Sequence, residues 1–451
     1  MLNRLIIIVY CIVSVILYTI TPLRYSSDFC RSQMIIYLLF GLYLNYIMIK
    51  RTNLINFFLF FSISFFFITF FHAAFYVRND SIIHAFLLGY NTNNINQSIS
   101  IAQLGNSFMS LALFWNLNQQ TYKYTFYVTR PTINQYFRIS FWCVILYDIY
   151  VLLILNREYA YTLFYPKLSL AVLSIVVFCG IITFFNVNSK QFLKKPYIVK
   201  YTILVLLFIL PYLLLNSRTN MIGILLFVLF SVNIKIYHIK LLQLLFIIPV
   251  ALLFMCIIMV TRISSVNFSN SSFIDVVTYG IDNIFQVGDF NQIILFVTTD
   301  LVANAKNLYD SISYTNNHEL LYGITYLPFL FSWFPGLSTI ILRQLDLSVD
   351  NVNTSKIFTN FNSADWGLGT HIIGDLYING LLFAVCIGMF ILGYIIRISI
   401  NKNSLIGLLL YISLLCNALI LPRACAFSFL EMFYIFLWQY FILYFFKKIK
   451  L

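Results

Sequence analysis

The sequence predicts an all-α protein with many membrane-spanning helices, and three observations support that prediction. Only 10% of the 451 residues are charged, whereas soluble domains carry about 25%. The hydrophobic share is 61%, aromatic residues make up 19%, and the mean hydropathy is +0.88. Apolar runs long enough to cross the hydrocarbon core, which takes about 20 residues of helix, recur along the chain. An ordinary soluble domain is therefore excluded.

About twelve segments fit a membrane-spanning helix. In chain order they are 5–22, 33–49, 54–76, 99–118, 139–156, 167–187, 197–215, 219–234, 241–261, 373–396, 404–421 and 426–446. The first resembles a signal peptide, but it lacks a small-residue cleavage site and further spans follow, so we expect it to be retained. The sequence therefore predicts an N-terminal bundle of about nine helices (1–261), a large loop (262–372) and about three C-terminal helices (373–451).

The basic residues of the short connections predict the orientation. If the N-terminus is cytoplasmic, more than half of the 28 Lys and Arg residues fall on the cytoplasmic side, as the positive-inside rule requires. We therefore expect both termini in the cytoplasm and the large loop outside. The net charge of +13 reflects this bias. No basic run is dense enough for a phosphate-backbone footprint, so no nucleic-acid partner is expected.

The large loop holds most of the acidic residues of the chain. They are Asp275, Asp282, Asp289, Asp300, Asp310, Glu319, Asp346, Asp350 and Asp365. Long loops of this kind usually carry function. Apolar residues at helical spacing in 275–302 predict an amphipathic helix along the membrane face. The proline-containing segment 326–336 is too short to span, so we expect an interfacial or re-entrant segment that protein buries.

Four arginines of the outer side are candidates for binding an anion. Arg218 lies in a tight turn between spans, Arg262 follows the ninth span, Arg423 lies between the last two spans, and Arg343 lies within the loop. Guanidinium groups bind phosphate through a planar, bidentate fork, so several of them converging would form a pyrophosphate clamp. The alternative is that each arginine snorkels to lipid headgroups.

A second polar cluster stands at the start of the tenth span and contains His371, Asp375, Tyr377 and Asn379. His371 and Asp375 are four residues apart, so both would face one side of a helix. Such a pair could orient an acceptor hydroxyl, or one member could act as a general base. The alternative is a hydrogen-bonded pair that only fixes the loop to the bundle. No P-loop, GxSxG, HExxH or metal-ligand motif occurs in the sequence, so we expect neither a metal nor a cofactor.

Taken together, these features resemble the oligosaccharide repeat-unit polymerases of bacterial surface polysaccharides, the O-antigen (Wzy-type) polymerases. The architecture matches through the single large outer loop before the last spans. The local matches are Ser217-Arg218-Thr219 at the start of a span, Arg262 at the start of the loop, and 374–379 at its end. The last is similar to the family's Gly-Glu-x-Tyr-x-Asn pattern. Asp375 stands where the family has Glu, and Gly380 stands where an aromatic residue is common.

The resemblance implies a GT-C-like, metal-independent glycosyltransferase in the bacterial inner membrane. It would polymerise polyprenyl-pyrophosphate-linked repeat units into O-antigen of lipopolysaccharide or another surface polysaccharide, on the outer face. Its partners would be undecaprenyl-pyrophosphate-linked donor and acceptor glycans, membrane lipid, a chain-length regulator and a flippase. The residues that would bind the pyrophosphate-linked substrate are Arg218, Arg262, Arg423, Arg343, Tyr377 and Asn379. His371 and Asp375 would be catalytic, with either acting as the base.

Two other functions remain open from the sequence. An O-antigen ligase shares this fold type and is expected to use an outer-loop histidine, for which His371 is available. A flippase or exporter of lipid-linked oligosaccharides could also have twelve spans with both termini inside. Carriers tend to have short loops and repeated halves, whereas this chain has one dominant loop and no evident repeat. The sequence predicts neither the sugar nor the linkage.

Overall fold

The computed structural model describes residues 2–77, 89–119, 127–153, 164–186, 195–214, 219–244, 302, 304–334, 336–364, 367–402, 404–445 and 449–450. The described chain is nearly all helical, so the predicted all-α class is confirmed. The described strands form one small antiparallel pair, in which β1 (Tyr127–Val128) pairs with β2 (Ile449–Lys450).

The described helices form two groups along the chain, one before the large loop and one within and after it. Those before the large loop are α1 (Leu2–Thr19), α2 (Ser27–Arg51), α3 (Phe57–Phe66), α4 (Asn94–Phe114), α5 (Arg130–Leu153), α6 (Phe164–Phe185), α7 (Lys195–Leu214) and α8 (Thr219–Lys235). Those within and after it are α9 (Ala305–Asn317), α10 (Leu327–Leu330), α11 (Leu337–Gln344), α12 (Val349–Val352), α13 (Thr354–Phe361), α14 (Ile372–Asn401), α15 (Leu405–Cys416) and α16 (Phe429–Phe445). A π-helical turn (Phe67–Phe71) and one further α-helical turn (His72–Phe75) extend α3, and 3-10 turns occupy Ile324–Tyr326 and Leu421–Arg423.

The predicted spans coincide with helices except for 241–261, most of which lies outside the described residues. Among the described residues, four helical segments are long and apolar enough to cross a membrane, namely Ser27–Arg51, Phe57–Phe75, Lys167–Phe185 and Ile372–Asn401. Several others, among them α1, α7, α8, α15 and α16, are apolar but shorter. These apolar helices indicate a membrane-embedded protein, while the count of twelve spans is not confirmed. The amphipathic helix predicted for 275–302 falls almost wholly outside the described residues.

The chain divides into two compact units, and the three consecutive segments expected from the sequence stay a prediction. Unit 1 contains Met1–Lys123 and Asp300–Tyr434, and unit 2 contains Tyr124–Thr299 and Ile435–Leu451. Unit 1 combines two distant parts of the chain because α14 packs along α4. Helix α4 precedes the large loop, and α14 follows it. Chain order therefore does not define the units.

The buried centre of unit 1 is α4, which packs against α1, α2, α9 and α14. Many of its polar side chains are buried as well. Two of them hydrogen-bond to neighbouring helices: Gln33 Nε2 donates to Ser100 Oγ over 2.9 Å, and Asn106 Nδ2 donates to Tyr10 OH over 2.8 Å. The crossing of α4 and α14 is close, because a Cβ at Gly393 would lie 2.2 Å from the Met109 carbonyl oxygen. Small residues permit such approaches between membrane helices.

Unit 2 is built on the packing of α5, α6, α7 and α8. A Cβ at Gly180 of α6 would lie 2.4 Å from the Phe227 ring, so α6 and α8 also touch at a glycine. The Tyr136 hydroxyl donates to Gln439 Oε1 over 2.6 Å, which joins α5 to the C-terminal part of α16 within this unit. Unit 2 is thus a helix bundle whose described contacts are mostly apolar.

Helix α14 is interrupted after its second turn. The backbone leaves the helical conformation at Gly380 (φ 178°, ψ 33°) and Leu381 (φ 54°, ψ −148°). A positive φ is unfavourable for a residue with a Cβ, so the surrounding structure must hold it there. All residues in 372–379 are buried, whereas the segment after the break exposes several large apolar side chains. At 1.5 Å per residue, 382–401 alone would be about 30 Å long, which matches the hydrocarbon core.

One end of unit 1 gathers the start of α1 with the ends of α2, α4 and α14. The Arg4 guanidinium donates to Asn116 Oδ1, and Asn401 Nδ2 donates to the Asn116 carbonyl oxygen over 2.9 Å. Lys50 and Arg51, the last residues of α2, lie beside Arg4. Basic residues predicted to be cytoplasmic therefore share one end of the unit.

The described part of the large loop lies at the opposite end. Helix α9 packs on the start of α4, where Asn94 Nδ2 donates to Ser313 Oγ over 2.7 Å. The same end contains the α1–α2 connection, since Asn96 Nδ2 donates to the Arg24 carbonyl oxygen over 2.7 Å. The basic end and the loop end are thus separated by the length of the bundle. Which side of the membrane each end faces stays a prediction.

Candidate functional site

The described loop folds over the first half of α14 as a series of short helices. Helix α9 packs on both α4 and α14, α13 packs on α9, and the 3-10 turn Ile324–Tyr326 contacts α14. The connection from α15 to α16 contacts α14 as well, through the 3-10 turn Leu421–Arg423. Four segments that are far apart in the sequence therefore meet around the buried turns of α14.

At this junction lies the Asp375 cluster, which we define as Asp375, Thr325, Thr354, Asn379 and the backbone N–H of Ala426. The Asp375 side chain is fully buried. Its Oδ1 accepts hydrogen bonds from the hydroxyls of Thr354 (2.5 Å) and Thr325 (3.3 Å), and its Oδ2 accepts one from the Ala426 N–H (3.1 Å). Hydrogen bonds to an ionised acceptor are about twice as strong as neutral ones. One carboxylate thus joins α14 to three other segments.

Asn379 extends the cluster by one helical turn. Its Nδ2 donates to the Asp375 carbonyl oxygen (2.7 Å) and to Thr325 Oγ1 (2.8 Å), and its Oδ1 accepts from the Gly323 N–H (2.9 Å). The Leu321 N–H also donates to the Ile378 carbonyl oxygen over 3.0 Å. Asn379 therefore anchors the segment 321–325 to α14.

His371 caps α14 rather than sharing partners with Asp375. Its Nδ1 accepts a hydrogen bond from the Ile373 N–H over 3.1 Å, and its Nε2 lies 3.1 Å from Thr69 Oγ1. A ring nitrogen that accepts an amide hydrogen carries no proton, so the neutral ring bears its hydrogen on Nε2 and donates it to Thr69. Burial lowers the pKa of His371 to about 3. The ring is therefore neutral at physiological pH.

The π-helical turn after α3 brings a second polar contact to the loop. Thr69, the partner of His371, lies within this turn, and His72 follows it directly. His72 is fully buried, and its Nδ1 lies 3.1 Å from the Tyr309 hydroxyl of α9. Single π-helical turns inside α-helices occur frequently at functional sites. The sequence alone singles out none of Thr69, His72 and Tyr309 as functional.

A buried ion pair holds α9 to the end of α13. Lys306 Nζ lies 2.5 Å from Asp310 Oδ2 and 2.5 Å from Asn362 Oδ1, and Asn362 Nδ2 donates to Asp310 Oδ2 over 2.9 Å. Burial raises the pKa of the Asp310 carboxyl, and the Lys306 ammonium and the Asn362 amide act in the opposite direction. This pair is not among the predicted site residues, although a Lys and an Asp four residues apart face one side of a helix.

Two of the four arginines predicted to form the pyrophosphate clamp lie in the described residues. Arg423 is half-buried in the 3-10 turn that ends three residues before Ala426, so it sits on a segment bonded to Asp375. Arg343 is exposed in the last turn of α11. Arg218 and Arg262 lie outside the described residues, and the convergence of the four stays a prediction.

The remaining predicted residue, Tyr377, is buried on α14 with Thr315 of α9 close to its hydroxyl. Asp375, Asn379 and Tyr377 therefore all contact the loop: Asp375 and Asn379 share Thr325, whereas Tyr377 contacts Thr315. The threonines of the Asp375 cluster were missed, because isolated Thr residues carry no signal in a single sequence. Within the described residues, no group of three or more His, Cys, Asp and Glu side chains is placed to hold a metal ion.

Comparisons with protein-family models, with curated proteins and with solved structures found no match to this chain. Inferences about its activity therefore depend on its own residues and their geometry. The main feature is a polar loop fastened by a buried carboxylate and a neutral imidazole to the first turns of an interrupted helix.

Proposed function

We propose that the protein is a membrane-embedded glycosyltransferase that polymerises polyprenyl-pyrophosphate-linked oligosaccharide repeat units. In this proposal it resides in the bacterial inner membrane with both termini cytoplasmic and the loop end outside. The observation that carries the proposal is the Asp375 cluster, which fastens the loop and the segment of Arg423 to the same turns of α14. An enzyme that joins two lipid-linked glycans needs such an ordered polar region at the membrane surface.

For this glycosyl transfer, the protein must mainly position the two substrates and supply positive charge. A bond forms between the acceptor hydroxyl oxygen and the anomeric carbon of the donor, and the bond from that carbon to the pyrophosphate oxygen breaks. The bonding electrons leave with the pyrophosphate, and the hydroxyl proton passes to water or to the departing pyrophosphate. Because the donor is already activated, the protein must mainly stabilise the developing pyrophosphate charge and align the hydroxyl.

Within this proposal, Arg423 supplies charge to the leaving pyrophosphate. It is half-buried at the loop end of unit 1, and its segment is held through the Ala426 N–H. A planar guanidinium suits a pyrophosphate better than a lysine ammonium does, because it donates two parallel hydrogen bonds. Arg218, Arg262 and Arg343 are proposed to add to the same clamp.

His371 and Asp375 take a different role from the catalytic one that the sequence suggested. Both side chains are fully buried, both nitrogens of His371 have hydrogen-bond partners, and Asp375 accepts three hydrogen bonds. We therefore propose that they are positioning residues, which hold the loop and the Arg423 segment in place. The same burial weakens the ligase alternative, which would need a histidine exposed to the acceptor.

A second candidate function, export of lipid-linked oligosaccharides, is favoured by the interruption of α14 at Gly380 and Leu381. Transporters often place substrate beside discontinuous membrane helices. In this chain, however, the residues just before the interruption are buried against the loop. The exporter therefore stands second.

The test uses glycans from cells that lack this protein, complemented with the wild type, Arg423→Ala, Arg423→Lys or Arg397→Ala. Arg397 lies near the basic end of α14 and serves as the matched arginine control. We expect a ladder of repeat units from the wild type and from Arg397→Ala. Arg423→Ala should leave a single repeat unit on the carrier, and Arg423→Lys should give a weakened ladder.

Each other pattern of bands assigns a different function. If cells without the protein still make a ladder but keep it on the polyprenyl carrier, the protein is a ligase. If their repeat units remain on the cytoplasmic leaflet, it is an exporter. A full ladder from Arg423→Ala would remove Arg423 from the proposed mechanism.

A further inference from the structure

The basic end of unit 1 contains two adjoining cavities that take no part in the proposed reaction. Their volumes are about 320 Å³ and 480 Å³, and Asn3, Ile47 and Arg51 line both. The first is also lined by Arg4 and the second by Lys50. Together they have the size of ordinary ligand sites, which measure about 300–1,000 Å³.

Of the residues that the structure describes, three cations line these cavities and no Asp or Glu does. Arg4 Nε donates to the Trp115 carbonyl oxygen over 3.1 Å, and another Arg4 nitrogen donates to Asn116 Oδ1. A guanidinium has five N–H donors, so the remaining N–H groups of Arg4 can bind a ligand. Lys50 and Arg51 are exposed at the end of α2. The arrangement therefore suits an anion with several oxygen acceptors, such as a phosphate group.

An apolar stripe leads away from the cavities along α2. Ile35, Leu39, Leu42 and Tyr46 are 52%, 64%, 69% and 63% exposed, and they recur at helical spacing on one face. Tyr46 lines the larger cavity, so the stripe begins where the cations are. From Tyr46 to Ile35 the helix rises about 16 Å, close to half of the roughly 30 Å hydrocarbon core. A stripe of this length matches the acyl chains of a single leaflet.

Aromatic residues mark the level at which the polar and apolar parts meet. Trp115 lines the smaller cavity and is 38% exposed, and the Arg4 guanidinium lies 5.4 Å from its ring centroid. Tyr43 lines the larger cavity, and its hydroxyl donates to Asn3 Oδ1 over 2.9 Å. Trp and Tyr are enriched at the headgroup level of membranes.

We propose that this basic pocket, defined by Asn3, Arg4, Lys50 and Arg51, binds the phosphate headgroup of an anionic phospholipid. The acyl chains of that lipid lie along the α2 stripe from Tyr46 to Ile35. Basic pockets between membrane helices are suited to anionic headgroups, and the leaflet-length stripe is what distinguishes a lipid from a soluble phosphate. The site is independent of the proposed glycosyl transfer, because it lies at the opposite end of unit 1.

The experiment titrates the purified full-length protein in a zwitterionic detergent with phosphatidylglycerol and counts bound lipids by native mass spectrometry. The test variant is Lys50→Ala with Arg51→Ala, which removes two exposed charges from the pocket. The matched control is Arg24→Ala with Lys402→Ala, which removes two exposed charges that line neither cavity. At about fivefold per basic residue, we expect the test variant to bind about 25-fold more weakly and the control to bind as the wild type does.

Two further measurements identify the source of the phosphate. Phosphatidylcholine should bind much more weakly than phosphatidylglycerol, and millimolar inorganic phosphate should not displace the bound lipid. Leu39→Gln with Leu42→Gln, which leaves the cations in place, should also weaken lipid binding because it makes the stripe polar. Melting temperatures of all variants are compared to the wild type to verify that they fold.

Three outcomes would overturn the proposal. Equal binding by the test variant and the wild type would remove the pocket from lipid recognition. Displacement by inorganic phosphate, with no effect of the leucine changes, would make this a site for a soluble anion. Equal affinity for phosphatidylcholine and phosphatidylglycerol would make the association an apolar one.

Discussion

Unit 1 buries two carboxylates near the loop, and it stabilises them in different ways. Asp310 faces the Lys306 ammonium of its own helix at 2.5 Å, whereas Asp375 accepts hydrogen bonds from two threonine hydroxyls and a backbone N–H. The partners of Asp310 stabilise one helix and its neighbour α13. The donors to Asp375 come from three segments, so its charge fixes the tertiary arrangement of the loop. The ion pair is therefore a local element of stability, whereas the Asp375 cluster sets the geometry of the candidate site.

The largest expected effect comes from breaking the ion pair on one side. Lys306→Ala leaves Asp310 buried without its cation, and such changes destabilise by about 3–5 kcal/mol. The loss of stability is measured by thermal unfolding in detergent. A thiol-reactive dye reports the exposure of cysteines that are buried in the folded state, among them Cys30, Cys416 and Cys425. Lys306→Met combined with Asp310→Leu should recover most of the loss. If the double variant is no more stable than Lys306→Ala, then lost packing, and not the unpaired charge of Asp310, causes the destabilisation.

The second largest loss of stability is expected when one hydrogen-bond donor to Asp375 is removed. Thr354→Val keeps the shape of the side chain but deletes a hydrogen bond to a charged acceptor, which is worth about 1.5–3 kcal/mol. Thr354→Ser keeps the hydroxyl and serves as the matched control. We expect Thr354→Val to lower the melting temperature and to shorten the glycan ladder more than Lys306→Met with Asp310→Leu does. Equal ladders from these two variants would contradict the separation of stability from site geometry.

A third prediction concerns the neutral imidazole that caps α14. The pKa of His371 is lowered to about 3 in the folded state, against about 6.5 in the unfolded chain. Between these values only the unfolded state binds the proton, so this contribution to stability is present above pH 6.5 and is lost as the pH falls towards 3. Between pH 6.5 and pH 5 the loss is about 2 kcal/mol.

His371→Asn keeps a good helix cap and removes the titration. Melting temperatures of the wild type and the variant, taken at pH 7, 6 and 5, check the prediction. The wild type should lose stability more steeply than the variant on acidification. Parallel curves for the two proteins would show that His371 gains its proton without unfolding.

The smallest effect on stability is expected at Arg343, which is exposed at the end of α11. Arg343→Ala should change the free energy of unfolding by no more than about 0.5 kcal/mol. If Arg343 belongs to the proposed clamp, its removal still shortens the glycan ladder, because the lost contact is to substrate. A ladder of wild-type length at wild-type stability would exclude Arg343 from the clamp.

Much of the fold can be predicted from the sequence, because apolar runs of helix length are a strong local signal. The helices α1 to α8 and α14 to α16 lie where the sequence placed spans. For the interruption of α14, the sequence offers only Gly380 as a signal. The division into two compact units depends on the packing of α14 against α4, and no local sequence pattern reveals that packing.

The candidate site was predicted in part. Asp375 and Asn379 were singled out as polar groups at the start of a span, and both join the loop to α14. Their donors could not be predicted, since Thr325 and Thr354 are 50 and 21 residues from Asp375 and ordinary in themselves. The catalytic role predicted for His371 depends on its spacing to Asp375, and that spacing does not reveal that the His371 ring caps α14.

The π-helical turn at Phe67–Phe71 has a consequence for the phase of α3. An α-helix advances about 100° per residue, and a π-helical turn accommodates one residue more than an α-helical turn does. His72 therefore faces about 100° away from the direction that an unbroken α-helix of the same number of residues would give it. The number of residues in this turn, more than their chemical identity, aims His72 at Tyr309. A single-residue deletion that restored a regular α-helix there would therefore keep the following turn facing its present direction.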